Sequence, residues 1–487
     1  MRISFACLIS LALVPLLEAA PARTGRRAVV NISYEQAQPI LEAVDNDLPA
    51  ELKNRSPAEL ETVWPGWVTR HDQEMRARLM RGEEDTLVNF LTFGTSFTVQ
   101  PRLTAREFAR LAPDLVPSHL SPDTSPEATV FFMRVDDLVR GLANPGNNER
   151  LLFLAWLVER QGYRPREANG VRPDLSGRAR LKAYVLANAA RVVREQESFQ
   201  RVLEQARRLD DRTEDFAERS KLYRSRGLSL DTSLLPNLAL EESLKAMQAR
   251  RLLAPGSVRR MAVIGPGLDF TDKVGGYDFY PQQTIQCFAL VDTLFRLGLA
   301  RIGQLELTTF DISQRVNDHL RRARRRAQLG QAYVLQLPRD PQAPWKPVAS
   351  HYWRQFGDQI GTPVAPIRAP ALAGSVETRA VQIRPAIVSM ITPVDLDIVA
   401  QHLDLPPKEG FDLIVATNVF VYYDLFDQLL ALANTQSMLR SGGFLLSNNS
   451  LPLLPASQMR SVDYLSLFYS DLPDHGDVIV WYQRSTD

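Results

Sequence analysis

The spacing of apolar residues changes about halfway along the chain. In the first half it has the period of a helix: Leu151, Leu154, Ala155 and Val158 fall on one face, and Gly162 follows as a helix stop. This half is therefore predicted to be mostly α-helical. The predicted helices are Tyr34–Val44, Glu74–Phe93, one opened by the capping box Thr104-Ala105-Arg106-Glu107, one around Leu151–Val158, one from Arg178 to about Arg224, and Leu238–Leu252.

After Pro255-Gly256, short apolar runs rich in β-forming residues alternate with helical segments. Such alternation is typical of parallel strands joined by crossover helices, and two late runs predict a closing antiparallel hairpin. The pattern predicts an α/β fold with a mostly parallel sheet of seven strands. The predicted strands are Arg260–Ile264, Gln304–Phe310, Ala386–Ile391, Asp412–Thr417, Gly443–Ser447, Val462–Tyr469 and Val478–Arg484, and the helices between them are Pro281–Leu297, Ser313–Leu329 and Leu425–Leu439.

A proline-rich segment, about 332–384, lies between the second and third predicted strands and contains Trp345 and Trp353. Long insertions in compact domains are often lids or binding surfaces. We interpret this segment as an insertion into the α/β domain, which itself is predicted to span residues 256–487.

The chain begins with an almost unbroken apolar run, residues 3–17, followed by small residues up to Ala22. This is the pattern of a secretory signal peptide, and the run is shorter than the roughly 20 residues of a membrane-spanning helix. Residues 1–22 are therefore predicted to be a signal peptide or an uncleaved anchor, and residues 23–255 a mostly helical domain. The protein is then expected to be secreted, periplasmic or attached to a membrane through residues 3–17.

The composition is that of a globular protein, with 487 residues, 45% hydrophobic and 23% charged. The net charge of +1 gives no reason to expect a nucleic-acid partner. The six histidines have no metal-ligand spacing, so no metal site is predicted. The sequence also lacks the P-loop of nucleotide-binding proteins, the H-E-x-x-H of zinc metalloproteases and the G-x-S-x-G of α/β-hydrolases. None of these enzyme classes is therefore predicted.

Three positions that can carry chemistry follow predicted strands. Gly265 and Gly267 form a turn after the first strand, where glycine lets a ligand approach the backbone closely. Asp311 ends the second strand, where a carboxylate can accept hydrogen bonds from both ribose hydroxyls or, alternatively, cap the next helix. Asn418 ends the buried strand that begins with Phe411-Asp412-Leu413-Ile414.

The order of these motifs, completed by Leu439-Arg440-Ser441-Gly442-Gly443-Phe444-Leu445, resembles class I S-adenosylmethionine (SAM)-dependent methyltransferases. The piece Phe411–Asp424 is most similar to the chemotaxis-receptor glutamate methyltransferases, whose corresponding strand also ends in Asn-Val and then a Tyr. The resemblance covers about 230 residues, roughly half of the chain. It implies a Rossmann-like methyltransferase sheet, SAM as the cofactor and methyl transfer as the activity.

Carried over position by position, the resemblance implies that Gly265 and Gly267 pass under the methionine part of SAM and that Asp311 holds the ribose. Asp269 belongs to the same turn and stands where many relatives have a third glycine. The loop that follows, Gly275–Thr284, is also unusual, and it could cap the cofactor or occlude it.

Asp395 and Leu396 match the position that contacts adenine, although Asp397 or Asp404 could serve instead. Asn418 would border the methionine end of SAM and the site of transfer. The first half of the chain does not match the small helical domain of the chemotaxis enzymes. A receptor glutamate is therefore not implied as the acceptor, which is left open between a small molecule and a protein.

Methyl transfer from SAM requires mainly that the acceptor and the methyl group be aligned, and a hydroxyl or amine acceptor also calls for a general base. The candidates near the expected mouth of the site are Asn418, Tyr422, Tyr423, Asp278 and Tyr280. Core packing is the alternative role for each of the aromatic side chains, and no single base is assigned.

The predicted location of the protein conflicts with the methyltransferase hypothesis, because SAM is made in the cytosol and the N-terminus resembles an export signal. The domain could face the cytosol, the start of the chain could lie further on, or the fold could have lost SAM and become an exported non-catalytic binding or structural module. The module predicts a filled pocket beside Gly265 and Asp311, and the enzyme predicts an open cleft at the carboxyl ends of the strands. A third hypothesis makes the helical half a protein-binding region on a Rossmann-like scaffold.

Overall fold

The computed structural model describes residues 28–111, 125–165, 175–209, 228, 232–270, 277–472 and 475–486. The segment predicted to be a signal peptide or anchor, residues 1–22, lies outside the described residues. Within the described part of the chain, every helix is too short or too polar to span a lipid bilayer.

The first half of the described chain is helical, as its sequence predicts. Helix α2 (Pro57–Phe93) is longer than the predicted helix Glu74–Phe93. It starts at Pro57, after a capping box formed by Ser56 and Glu59, and continues through Pro65. The elements are β1 (Val29–Asn31), α1 (Tyr34–Ala43), α2 (Pro57–Phe93), α3 (Ala105–Arg110), α4 (Pro126–Ala143), α5 (Glu149–Arg160), α6 (Leu175–Leu209) and α7 (Leu235–Ala249).

The second half contains a seven-stranded sheet, whose strands lie in the order β11 (Met459–Phe468), β12 (Gly476–Arg484), β10 (Leu439–Ser447), β9 (Phe411–Ala416), β2 (Arg260–Ile264), β3 (Glu306–Asp311) and β7 (Ile391–Asp395). Strands β10, β9, β2, β3 and β7 pair in parallel, while β12 pairs antiparallel with both β10 and β11. The predicted α/β fold with a terminal antiparallel hairpin is confirmed. Its elements are β2 (Arg260–Ile264), α8 (Gln286–Arg296), β3 (Glu306–Asp311), α9 (Gln314–Gln328), β4 (Tyr333–Arg339), α10 (Pro347–Gln355), β5 (Gly361–Val364), β6 (Glu377–Ile383), α11 (Pro385–Ser389), β7 (Ile391–Asp395), β8 (Gln401–Leu403), β9 (Phe411–Ala416), α12 (Leu425–Met438), β10 (Leu439–Ser447), β11 (Met459–Phe468) and β12 (Gly476–Arg484).

The third strand of the parallel sheet is not where the sequence predicts it. The predicted strand, Ala386–Ile391, is mostly the short helix α11, and the strand itself is Ile391–Asp395. Pro385 starts the helix at a position that proline favours. Pro393 is tolerated inside β7 because this strand lies at the edge of the sheet, where one row of backbone groups has no partner strand.

The insertion forms a small sheet of its own and shares a hydrophobic core with the main sheet. Strands β4, β6 and β5 form a three-stranded antiparallel sheet, and α10 packs beside it. Trp353 is buried in this packing, and its indole Nε1 donates a hydrogen bond to the carbonyl oxygen of Leu337 at 3.1 Å.

Apart from α7, which shares a core with the sheet residues Met261, Val263 and Leu307, the helical half packs in two separate ways. Buried residues between Ile32 and Met75 share a core with the sheet residues Ala262, Ile264 and Phe310, and β1 pairs antiparallel with β8. The end of α2 and helices α3 to α6 form a second core, which reaches the α/β half through Phe270. One long helix, α2, therefore belongs to both cores and crosses from one to the other.

Candidate functional site

The turn after β2 lies between the tips of two neighbouring strands. Gly265 and Gly267 both have φ of 65°, a left-handed conformation that glycine adopts at no steric cost. A Cβ on Gly265 would stand 2.7 Å from Cγ2 of Val419, which follows β9. The backbone N–H of Gly265 donates to the carbonyl oxygen of Phe310 in β3 at 2.8 Å. The turn thus requires glycine for both its conformation and its close packing.

Asp311 is the last residue of β3, and its two carboxylate oxygens have different surroundings. Oδ1 accepts a hydrogen bond from the N–H of Ser313 at 2.8 Å. Oδ2 is buried and has no hydrogen-bond partner among the described residues. Burial raises the pKa of Asp311 to about 7, and the charge of Asp395 adds to the shift, although the N–H groups of Ser313 and Gly267 and the charge of Arg315 oppose it. An unpaired buried acceptor costs about 1–3 kcal/mol, so this oxygen can gain much from a ligand donor.

Asp395 lies beside Asp311 at the end of the neighbouring strand. The two aspartates are register partners in β3 and β7, and the N–H of Leu396 donates to the carbonyl oxygen of Asp311 at 3.3 Å. The carboxylate of Asp395 accepts hydrogen bonds from Arg76 Nη1 at 3.0 Å and from Gln314 Nε2. The position that would contact adenine is therefore already held by an arginine of α2.

The two alternatives to Asp395 lie elsewhere. Asp397 is buried, its Oδ1 accepts from the N–H of Val399 at 3.0 Å, and its Oδ2 has no hydrogen-bond partner among the described residues. Asp404 follows β8, and its N–H donates to the carbonyl oxygen of Ala28 next to β1. We therefore retain Asp395 for the adenine position, because it is the residue paired with Asp311.

Asn418 marks the tip of β9 beside β10. It is exposed and has a left-handed backbone with φ of 58°. Its N–H donates to Asn448 Oδ1 at 2.8 Å, and its Oδ1 accepts from Asn448 Nδ2 at 2.7 Å. Tyr422 is partly buried, and its carbonyl oxygen accepts from Arg78 Nη2 at 2.7 Å. Tyr423 is buried, and burial holds the pKa of its hydroxyl well above the usual value.

Asp269, Asp278 and Tyr280 anchor the loop that follows the glycine turn. Asp269 Oδ2 accepts from the hydroxyl of Tyr280 at 2.7 Å and from Gln283 Nε2 at 3.1 Å. The carboxylate of Asp278 accepts from the N–H and hydroxyl groups of both Thr95 and Ser96 at 2.6–3.0 Å. Asp278 and Tyr280 are thus occupied in holding the loop, and we do not retain them as candidate bases.

Sequence reasoning did not find Arg150, which organises the same loop. This buried side chain of α5 donates to the carbonyl oxygens of Phe270, Tyr280 and, at 3.1 Å, Asp278. These carbonyls lie on both sides of residues 271–276, which are outside the described part. Nothing in the local sequence distinguishes Arg150 from the many other arginines, since the carbonyl oxygens that its guanidinium binds lie 119 or more residues away.

Helix α2 crosses the carboxyl ends of the parallel strands. Arg76 Nη1 donates to the carbonyl oxygen of Ile312 at 3.2 Å, just after β3, in addition to its contact with Asp395 after β7. Arg78 reaches Tyr422 beyond β9, and His71 lies 3.2 Å from Asp427 at the start of α12. The strand ends that would hold SAM are therefore covered by a helix from the first half of the chain.

No cluster of three or more His, Cys, Asp or Glu side chains suited to a metal ion occurs among the described residues. The described strand tips present hydrogen-bond acceptors, backbone amides and arginines. The unpaired oxygen of Asp311 and the glycine turn fit a ribose-bearing cofactor.

The chain matches known proteins in structure. No family model and no curated protein matches the chain. Among solved structures, the glycopeptide N-methyltransferase MtfA complexed with sinefungin is 12% identical with a TM-score of 0.24, and the match covers 53% of this chain and 96% of MtfA. The magnesium protoporphyrin IX methyltransferase ChlM from Synechocystis with bound SAM is 12% identical over 51% of this chain and 79% of its own, with a TM-score of 0.24. An S-adenosylmethionine-dependent methyltransferase from Clostridium acetobutylicum is 8% identical over 52% of this chain and 93% of its own, also with a TM-score of 0.24.

At such identities and TM-scores these likenesses assign neither a cofactor nor a reaction to this chain. The strand order, the closing hairpin and the glycine turn after β2 belong to the chain itself. On these features, the second half of the chain has the Rossmann-like, methyltransferase-type fold that its sequence predicts.

Proposed function

We propose that the chain is a SAM-dependent methyltransferase whose cofactor site lies at the carboxyl ends of β2, β3, β7 and β9. The observation that carries this proposal is the buried, unpaired Oδ2 of Asp311 beside the glycine turn. A ribose offers two adjacent hydroxyl donors, and a hydroxyl bound to a carboxylate makes a charge-assisted hydrogen bond. A dinucleotide would offer the same ribose, but the turn lacks the third glycine of the dinucleotide-binding fingerprint G-x-G-x-x-G and has Phe270 at that position.

Each candidate residue then has a defined task. Gly265 and Gly267 would let the backbone approach the methionine part of SAM, and Asp311 would hold the ribose. Leu396 would pack beside the adenine, and Asn418 would border the site of transfer. SAM supplies an activated methyl group, so the chain mainly has to orient the acceptor and exclude water. The acceptor is a small molecule or a protein.

Calorimetric titration of the full chain with SAM and with its demethylated product, S-adenosylhomocysteine (SAH), tests this proposal. We expect micromolar binding of both ligands. Asp311→Ala should weaken it tenfold or more, because a hydrogen bond to a charged group contributes about 1.5–3 kcal/mol. The matched control is Asp318→Ala, an exposed aspartate paired only with Arg321 among the described residues, which should bind like the native chain. A folded native chain that binds neither ligand would contradict the proposal.

The second candidate function is an exported non-catalytic binding or structural module. It is favoured by the cover over the glycine turn: residues 266–269 are buried, and α2 lies across the strand ends. This candidate predicts that neither SAM nor SAH binds to the native chain. Attachment to a membrane through residues 3–17 is compatible with either function, but the enzyme requires that the α/β half have access to cytosolic SAM.

A further inference from the structure

A cofactor bound as proposed must extend from Asp311 towards Asp395. The two residues are register partners in adjacent parallel strands, and adjacent strands lie about 4.8 Å apart. A ribose held by Asp311 therefore places its base over the end of β7, next to the carboxylate of Asp395 and to Leu396. The exocyclic amine of adenine is a hydrogen-bond donor and needs an acceptor at this end of the site.

Arg76 already binds the acceptor at this position, the carboxylate of Asp395. Its Nη1 donates to Asp395 Oδ1 at 3.0 Å and to the carbonyl oxygen of Ile312 at 3.2 Å. Its Nε lies 3.1 Å from each carboxylate oxygen of Asp72, one turn earlier in α2, which fixes the direction of the guanidinium. Gln314 Nε2 donates to the second oxygen of Asp395. Both oxygens of Asp395 are thus bound to protein donors before a ligand arrives.

The ion pair between Arg76 and Asp395 lies where a ligand can break it. The side chains of Arg76 and Asp395 are 32% and 30% exposed, so the pair lies at the rim of the site. Ion pairs with this degree of solvent contact stabilise by about 0–1 kcal/mol. A ligand can therefore displace the arginine at a modest cost, which is subtracted from its own binding energy.

We propose that Arg76 sets the affinity and the base preference of the cofactor site by competing with the adenine amine for Asp395. This inference rests on the proposed function. It makes α2 more than a structural support, because one of its side chains occupies a ligand position and must leave it for the cofactor to bind fully.

The test is calorimetric titration of SAH into the full chain and its Arg76→Ala variant. We expect Arg76→Ala to bind SAH several-fold more tightly, up to about fivefold for a competing contact worth 1 kcal/mol. If the substitution only disturbed the fold, binding of SAH would weaken. A gain in affinity therefore distinguishes the loss of a competing contact from a disturbed fold. The matched control is Arg70→Ala, which removes an exposed ion pair with Glu51 from the same helix and should leave the affinity unchanged.

Asp395→Ala supplies the second arm. If Arg76 acts through Asp395, the gain on Arg76→Ala must disappear in the Asp395→Ala background. The deaminated ligand S-inosylhomocysteine, which lacks the amine, should also gain less than SAH.

The two proposals fail in different ways. A native chain that binds SAH while Arg76→Ala binds it equally or more weakly overturns the competition and leaves the methyltransferase proposal standing. If neither the native chain nor Arg76→Ala binds SAH, both proposals are overturned. Binding by Arg76→Ala alone would overturn both as well, because the native chain then fails the test of the proposed function and a competing contact worth about 1 kcal/mol changes the affinity only about fivefold.

Discussion

Replacing Arg134 by methionine is expected to lower the free energy of unfolding of the helical region by about 3–5 kcal/mol. Arg134 of α4 is fully buried, and its guanidinium is bound mainly by carbonyl oxygens rather than by carboxylates. Burial lowers its pKa to about 10, against the opposing effect of Asp278 and Asp137. The carbonyl oxygens that accept its hydrogen bonds are those of Leu91, Gly94, Gln100 and Pro101.

The size of this effect follows from the hydrogen-bond donors of the guanidinium, which methionine cannot replace. Methionine approximates the volume of the arginine stem, so the change creates little empty space, but it leaves four carbonyl oxygens without their donor. These oxygens belong to the chain segment that leads out of α2, where Thr95 and Ser96 also bind Asp278. We therefore expect that segment to loosen together with its contact to the α/β half.

Urea unfolding followed by circular dichroism measures the effect. The control is Arg140→Met on the same helix, where the arginine side chain is 72% exposed and the change should stay within about 0.5 kcal/mol. A loss of less than 1 kcal/mol for Arg134→Met would show that the carbonyl oxygens find other donors and that this arginine does not organise the segment.

The second large effect concerns pH. Burial alone would lower the pKa of His71, but the carboxylate of Asp427, with Asp397 and Asp424 further away, raises it to about 9. His71 Nε2 lies 3.2 Å from Asp427 Oδ1, and the centroid of the imidazole ring lies 4.7 Å from that of Trp67, with the two rings stacked. A charged imidazole gains from both neighbours.

The pKa is higher in the folded chain than the value of 6.5 usual for unfolded chains. The stabilisation by His71 is therefore fully present below pH 6.5 and is lost as the pH rises through about 9. The full loss corresponds to about 3 kcal/mol. Burial also raises the pKa of neighbouring Asp397, which likewise lowers stability as the pH rises.

Urea unfolding at pH 6 and at pH 9.5 tests this in the native chain and in His71→Gln. The native chain should be the more stable of the two at pH 6, and the difference should shrink at pH 9.5. His351→Gln changes an exposed histidine and serves as the control. A difference between native chain and His71→Gln that does not depend on pH would mean that the histidine packs as a neutral ring.

The sheet was largely predictable from the sequence because its inner strands are buried on both faces. Every residue of β9, Phe411–Ala416, is buried, and such strands appear in sequence as continuous apolar runs. The edge strand β7 carries Pro393, and all of its residues after the buried Ile391 are exposed or only partly buried, so it gives no such signal. The apolar run just before it was mistaken for the strand, because short apolar runs fit a helix as well as a strand.

The candidate site was predictable only in part. Asp311 and Gly265 could be found because each follows a strand, and the carboxyl ends of parallel strands meet at one edge of the sheet. The covering of that edge by α2 could not be found. Arg76 and Asp395 are 319 residues apart, and neither has a local pattern that points to the other. The burial of Asp311 Oδ2 likewise depends on packing by segments that are distant in sequence.

The most direct test of the account is a crystal structure of the full chain with SAH. We predict that the adenosine lies between the glycine turn and β7, with a ribose hydroxyl about 2.5–2.7 Å from Asp311 Oδ2. Arg76 should then have moved away from Asp395. A structure in which SAH binds elsewhere, or in which saturating SAH leaves Asp311 Oδ2 without a ligand donor, would contradict the assignment of this edge of the sheet as a SAM site.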